Sequence, residues 1–202
     1  MVIRELTHPT PEEYRQTVQV LTDTFWKTPF FTQYMFRGRK PLAQAFLETQ
    51  LVYALKVGRV FVASDEKAGI IACALWSLPT SPDFNLKTIF RLGLGGKMAG
   101  IALRSPAATL RMRELFAMLE RYAPETPCAC LEFLSSVRPG VGSALLRECM
   151  KAFPGLPLYV ESIVSKNDHA YYRQFGFVPF ARTDFHGTDY SFMLTAPQAE
   201  AK

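Results

Sequence analysis

A strand that runs into a helix through glycines, with another strand close behind, limits the folds open to this chain more than any other feature. Residues 128–136, ending in Leu131-Glu132-Phe133-Leu134-Ser135-Ser136, read as an apolar strand, and Val137-Arg138-Pro139-Gly140-Val141-Gly142-Ser143 turns it into a helix. With glycines in the turn, backbone N–H groups and the positive end of the helix dipole open outward without side chains in the way, a cradle for an anion. Taken alone, Gly-x-Gly is equally the mark of a tight strand-to-helix turn. The alternation continues: a helix over residues 140–153 with Leu145, Leu146, Cys149 and Met150 on its inner side, then a strand over 157–163. Asn167 caps a short helix with Asp168 in its first turn, ending at Gly176, and two closing strands follow at 177–182 and 188–195. Strand and helix in alternation predict parallel pairing in the sheet.

The first part of the chain is built differently. Residues 3–6 form an opening strand. Thr10-Pro11-Glu12-Glu13 then supplies a cap, a first-turn proline and two acids, and Tyr14, Val18, Leu21 and Phe25 recur at helical spacing, which predicts a helix over 11–26. Residues 29–36 are aromatic-rich and irregular. Pro41 opens a second helix that stops at Gly58, and residues 59–64 and 69–78 form a hairpin around the polar turn Asp65-Glu66-Lys67-Ala68. The expected fold is therefore α+β or α/β: one domain over residues 1–202, with a mixed sheet of about six to seven strands flanked by helices. A helical insertion at about residues 80–122 separates the hairpin from the central strand, and residues 196–202 form a frayed tail.

A length of 202 residues with 49% hydrophobic and 20% charged residues gives enough apolar surface for a real core and excludes wholesale disorder. The longest apolar stretch, residues 69–78, is about half of the roughly 20 residues a membrane-spanning helix needs. An acid at Glu5 and a proline at Pro9 stand where a secretion signal would be apolar, so a cytoplasmic location is expected. Four cysteines, Cys73, Cys128, Cys130 and Cys149, are too few for a disulfide framework and read as reduced core residues. Cys128-x-Cys130 has no second ligand pair at metal spacing, so no metal is expected.

Lys and Arg outnumber Asp and Glu by 23 to 18, a net charge of +5, which suits an anionic partner without selecting one. Part of that excess lies in the insertion. From Leu86 to Arg113 there are six basic residues, Lys87, Arg91, Lys97, Arg104, Arg111 and Arg113, and no acid. A basic amphipathic segment can lie on a membrane or nucleic acid, but a solvated face on a lid-like helical excursion is the commoner case. No nucleic-acid partner is expected.

Leu158-Tyr159-Val160-Glu161-Ser162, followed by Asn167, Tyr172, Gly176 and Phe177, resembles the closing half of the GCN5-related N-acetyltransferase (GNAT) family, and together with the glycine turn the likeness covers residues 128–195. The Trp76-Ser77-Leu78-Pro79 element before a helical insertion is similar to a branch of that family with a helical cover. The resemblance implies acetyl-coenzyme A as co-substrate and acetyl transfer by direct attack of a primary amine, on a small molecule or amino acid. It further implies that the strand at residues 131–137 splays from the strand at 158–163 to admit the pantetheine arm. On this likeness the coenzyme contacts fall on Leu134, Ser135, Ser136, Val137, Arg138, Gly140, Val141, Gly142, Ser143, Asn167 and Tyr172. Tyr172 would protonate the leaving thiolate.

The base must come from residue chemistry. Glu132 and Glu161 are acids within otherwise apolar strands, where burial would raise their pKa toward neutrality; the alternative is a strand carboxylate turned to solvent or to a basic partner. The family's turn carries glutamine or arginine ahead of its glycines, whereas here that position is Val137, with Arg138 one place late and able to serve as the phosphate partner. Trp26, Phe30, Phe31, Tyr34 and Phe36 are available to line an acceptor pocket or simply to fill the core. Asn167 could be no more than a helix cap, and His169 and His186 read as bystanders. Against the enzyme stands a non-catalytic protein of the same fold that binds an acyl-coenzyme A or a protein partner. The oligomeric state is open, a homodimer included.

Overall fold

A computed structural model describes residues 1–163 and 168–198. The described chain begins with β1 (Val2–Glu5), α1 (Pro11–Phe25), a π-helix (Phe30–Met35) and α2 (Lys40–Val57), followed by the hairpin β2 (Arg59–Asp65) and β3 (Gly69–Ser77). Three helices come next, α3 (Leu86–Arg91), α4 (Gly95–Arg104) and α5 (Pro106–Tyr122). The closing part is β4 (Ala129–Ser136), α6 (Val141–Met150), β5 (Leu158–Ile163), α7 (Asp168–Arg173), β6 (Val178–Phe185) and β7 (Thr188–Leu194).

Local signals account for most of these boundaries. Thr10 and Glu13 close a reciprocal capping box at the start of α1, each side chain holding the other's backbone N–H, an arrangement worth about 1 kcal/mol. Gly58 ends α2 because only glycine fits there: a Cβ would lie 2.2 Å from the carbonyl oxygen of Trp76. Three expectations change. The aromatic segment is a π-helix rather than irregular, with the Phe36 N–H donating to the Phe31 carbonyl 3.1 Å away. The helix expected to run to residue 153 stops at Met150, and the strand expected over 177–182 extends to Phe185.

The strands form one seven-stranded sheet in the order β1-β2-β3-β4-β5-β7-β6. Parallel pairing, expected from the alternation of elements, is confined to β4 and β5 and lasts for three rungs, Ala129↔Leu158, Cys130↔Tyr159 and Leu131↔Val160. Past Leu131 the two strands part.

The cause lies on the other side of β4. Its antiparallel register with β3 steps from Leu75↔Phe133 directly to Trp76↔Leu131, leaving Glu132 without an opposite residue. Glu132 is thus the extra residue of a β-bulge, which bends its strand and breaks the strict in-out alternation. Cys130 and Phe133 pack into the core beneath α1, the π-helix, α2 and α5, with Leu21, Leu47 and Met112. Leu131 and Leu134 face the second core beneath α6, with Trp76, Leu146 and Phe177.

The insertion covers the first of these cores. α4 packs on α2 and α5, and α5 reaches the π-helix. Its cations are not all solvated as expected. Arg111 is buried, and its Nε and Nη2 donate to the Met35 carbonyl at 3.0 and 2.8 Å, at the end of the π-helix. Lys97 Nζ pairs with Glu48 at 2.5 Å. No described helix is long and apolar enough to cross a membrane. All four cysteines are free thiols; Cys73 and Cys149 are core, while Cys128 and Cys130 are only half-buried.

Candidate active site

Where β4 and β5 diverge, a cavity of about 400 Å³ opens. Its floor is the two strands, its sides come from α1, the π-helix and α2, and α5 of the insertion closes it with Leu115, Phe116 and Leu119. Continuing the register past Leu131↔Val160 brings Glu132 and Glu161 to the same level, the first without strand-to-strand pairing, and both line the cavity. Among the described residues neither acid forms an ion pair, and Glu132 is exposed while Glu161 is half-buried.

The two carboxylates are held and tuned by their neighbours. Ser77 Oγ donates to Glu132 Oε1 at 2.7 Å, and the Tyr159 hydroxyl donates to Glu161 Oε1 at 3.1 Å. Glu132 stays accessible through the cavity, yet the protein gathered round it pushes its pKa up, against the pull of Ser77 and Cys130. Burial, with the charge of Glu132 next, raises Glu161 well above the ordinary carboxylate range, and the Tyr159 hydroxyl only partly offsets this. Two acids so close resist double ionisation, so the pair carries a proton into a pH range where a free carboxylate has none.

The other expected residues divide into those at the cavity and those turned away. Leu134, Ser136, Gly142 and Tyr172 line it. Gly140 caps α6 in a left-handed conformation (φ 78°) with no side-chain cap; the Val141 N–H meets the Arg138 carbonyl at 3.4 Å, and no described side chain takes the amides of Gly142 and Ser143. Val141 is the first residue of that helix. A Cβ on Gly142 would meet only Ser136 Cβ at 3.4 Å and the Tyr171 hydroxyl at 3.5 Å. Ser143 lies close to the Tyr171 hydroxyl and pulls its pKa down against the larger rise from burial.

Ser135 is buried opposite Cys73 of β3, and Val137 is exposed. Arg138 does not point at the cradle: its Nη1 pairs with Asp65 Oδ2 of the β2–β3 hairpin at 3.0 Å. Asn167 lies outside the described residues.

Of the aromatics in the π-helix region, Phe30 and Phe31 line the cavity. Phe36 is core, Trp26 packs at the edge of that core, and Tyr34 stacks on His186 with ring centroids 4.8 Å apart. Sequence reasoning missed Tyr171, whose ring lines the cavity beside that of Tyr172 with centroids 5.0 Å apart. It also missed Gln50, Phe116 and Tyr190. For Tyr171 the one signal in the sequence was its place next to Tyr172 on the same short helix.

A parallel pair that opens at a bulge, beside a glycine-started helix, is the arrangement of the GCN5-related N-acetyltransferase fold. Comparison with solved structures agrees. The Corynebacterium glutamicum protein named "histone acetyltransferase HPA2 and related acetyltransferase" superposes with a TM-score of 0.69 at 23% identity, over 100% of both chains. An N-acetyltransferase from Staphylococcus aureus Mu50 matches at 0.61 and 12% identity, over 96% of this chain and 100% of that one. A GNAT superfamily phosphinothricin acetyltransferase from Sinorhizobium meliloti, solved in complex with AcCoA, matches at 0.54 and 15% identity, over 99% and 90%. Neither a protein-family model nor a curated protein matches the chain by sequence. The chain has the GNAT acetyltransferase fold.

Proposed function

We propose that the protein is an N-acetyltransferase that moves the acetyl group of acetyl-coenzyme A to a primary amine, by direct attack of the amine while both substrates are bound. The observation that carries this reading is the fork: two elevated carboxylates and the ring of Tyr172 around one cavity that β4 and β5 open between them.

The residues present fit the donor. Beyond Leu131 the edge of β4 that faces β5 is unpaired over five residues, Glu132–Ser136, so its backbone groups can hydrogen-bond an extended amide arm. Gly140 has nothing within 4 Å of where a Cβ would be, and the amides of Val141, Gly142 and Ser143 begin a helix whose dipole favours a phosphate. Bound there, acetyl-coenzyme A supplies a thioester whose thiolate needs a proton on leaving.

The rest falls to side chains of this chain. Amines of small molecules are protonated at neutral pH, with pKa near about 10, so a base must free the lone pair. A carboxylate whose pKa is raised toward neutrality accepts that proton far better than an ordinary one, and Glu161 and Glu132, sharing a proton, form that base. We assign the acid role to the Tyr172 hydroxyl at the cavity wall. The apolar lining keeps water from competing for the acyl group.

Calorimetric titration with acetyl-coenzyme A, followed by thiol release on adding amines, tests the reading. Binding at micromolar concentration with amine-dependent thiol release supports it. Absence of heat and of any thermal shift at millimolar ligand overturns it. That result would fit the engagement of Arg138 with Asp65 and a non-catalytic use of the fold.

A further inference from the structure

The side of the cavity facing the strand fork is aromatic. Phe25 of α1, Phe30 and Phe31 of the π-helix, Phe46 of α2, Phe116 of α5 and Phe133 of β4 meet there. Phe25 stands edge-on to Phe133 with centroids 5.1 Å apart, and Phe46 is 6.4 Å from both Phe116 and Phe133. Among the described residues of this wall, Gln50 has a side-chain nitrogen with nothing to bond. Gln50 is 7% exposed, lines the cavity and has an Nε2 without a hydrogen-bond partner. It follows Phe46 by one helical turn on α2 and so shares that residue's face. A buried amide donor left unmatched in an apolar wall is unfavourable unless a ligand supplies the acceptor.

The charges are just as uneven. Among the described lining residues the only ionic groups are Glu132 and Glu161; no Lys or Arg is present. A substrate carboxylate would find two acids and, among the described residues, no cation. The second ammonium of a polyamine would be stripped of water among the rings without a carboxylate to meet it.

The geometry points to an arylalkylamine bearing an oxygen on or beside its ring as the acceptor: its ammonium toward Glu132 and Glu161, its ring against the phenylalanine wall, its oxygen at the side-chain amide of Gln50. This rests on the acyl-transfer reading and narrows its acceptor from any small amine or amino acid. It makes Gln50 a specificity residue.

The test compares tyramine, 2-phenylethylamine, spermidine and glycine as acceptors for the wild type and for Gln50→Leu and Gln50→Met, with calorimetric binding of tyramine measured alongside. The expected result is a kcat/KM for tyramine about tenfold or more above each of the other three. Each Gln50 variant should lower it to the value the same variant gives with 2-phenylethylamine, and an unfolding midpoint at or above the wild type's certifies the variants' fold. A preference for spermidine or glycine, or a tyramine advantage that survives both variants, overturns the inference and leaves acetyl transfer standing. If no amine is acetylated, the acyl-transfer reading fails by itself. Gln50-dependent binding of tyramine then upholds the pocket assignment, and absence of such binding overturns it.

Discussion

Glu132 and Glu161 stand level with each other one step beyond Leu131↔Val160, the last rung that joins β4 to β5. The bulge at Glu132 and the opening of the sheet are one event, so the residue that disturbs the register also supplies an acid to the gap. Glu161, whose pKa is held up by burial and by Glu132, links stability to pH. A carboxyl with a higher pKa folded than unfolded binds more protons in the native state. Stability present while it is protonated is therefore lost as pH rises from the ordinary carboxylate range through the raised value. Glu161→Gln removes that loss. Thermal scans from about pH 5 to about pH 9 should find the variant more stable than the wild type at the alkaline end, with the difference closing toward the acid end. Acetylation should fall by about a hundredfold or more, with its acid limb gone. A wild-type rate in the variant would clear Glu161 of the base role.

Tyr172 and Tyr171 separate by chemistry. Tyr172→Phe keeps the ring and its packing on Tyr171 and Phe177 and removes only the phenol, so kcat should fall about a hundredfold with KM for acetyl-coenzyme A little changed. Tyr171→Phe instead removes the hydroxyl that stands beside Gly142 and Ser143 at the start of α6 and should raise that KM with kcat nearly constant. Steady-state kinetics of both variants check the assignment, and the reverse pattern would exchange their roles.

What the sequence made legible was whatever rests on local periodicity and punctuation. The order of elements, the capping box at Thr10, the stop at Gly58 and the strand–glycine–helix turn all write themselves into adjacent residues. The π-helix did not, because Phe30-Phe31-Thr32-Gln33-Tyr34-Met35 has no pattern that separates a bond spanning five residues from an irregular loop. The bulge was hidden for a related reason: Glu132 lies between apolar neighbours on both sides, and only the register with β3 shows it to be unpaired. Arg138 met a partner 73 positions away, and Gln50 reached the cavity only through packing of α2 against distant elements. Pairwise facts of that kind have no trace in a linear pattern. The likeness of residues 128–195 to a known family did make the fork readable, since its glycines and its Tyr172-to-Phe177 segment are contiguous.

Gly142 offers a graded test of the donor cradle. A Cβ there meets atoms at 3.4 and 3.5 Å, ordinary contact distances, so Gly142→Ala should bind acetyl-coenzyme A within a few-fold of wild type. Gly142→Glu places a carboxylate into the same space at the start of α6, where it repels phosphate and competes for the amides. Titration should show binding weakened by about a hundredfold, and unchanged affinity would move the coenzyme site elsewhere.

The closing insertion is fastened by one buried cation. The two donors of Arg111 that meet the Met35 carbonyl join α5 to the end of the π-helix that carries Phe30 and Phe31. In Arg111→Met the stem is replaced by a side chain of similar reach, and the loss is confined to the guanidinium, which leaves the Met35 carbonyl in need of a partner. Hydrogen bonds from a charged donor are worth about 1.5–3 kcal/mol each, and a chain of this size shifts its midpoint by about 2–4 °C per kcal/mol. Because both donors share one carbonyl the loss is counted as one such bond, and the unfolding midpoint should drop by about 3–12 °C. Because Phe116 of the same helix lines the cavity, loosening α5 should also raise KM for the amine more than KM for acetyl-coenzyme A. If instead the variant melts as the wild type does and both KM values hold, α5 is fastened by its apolar packing and the Arg111 contact is incidental to it.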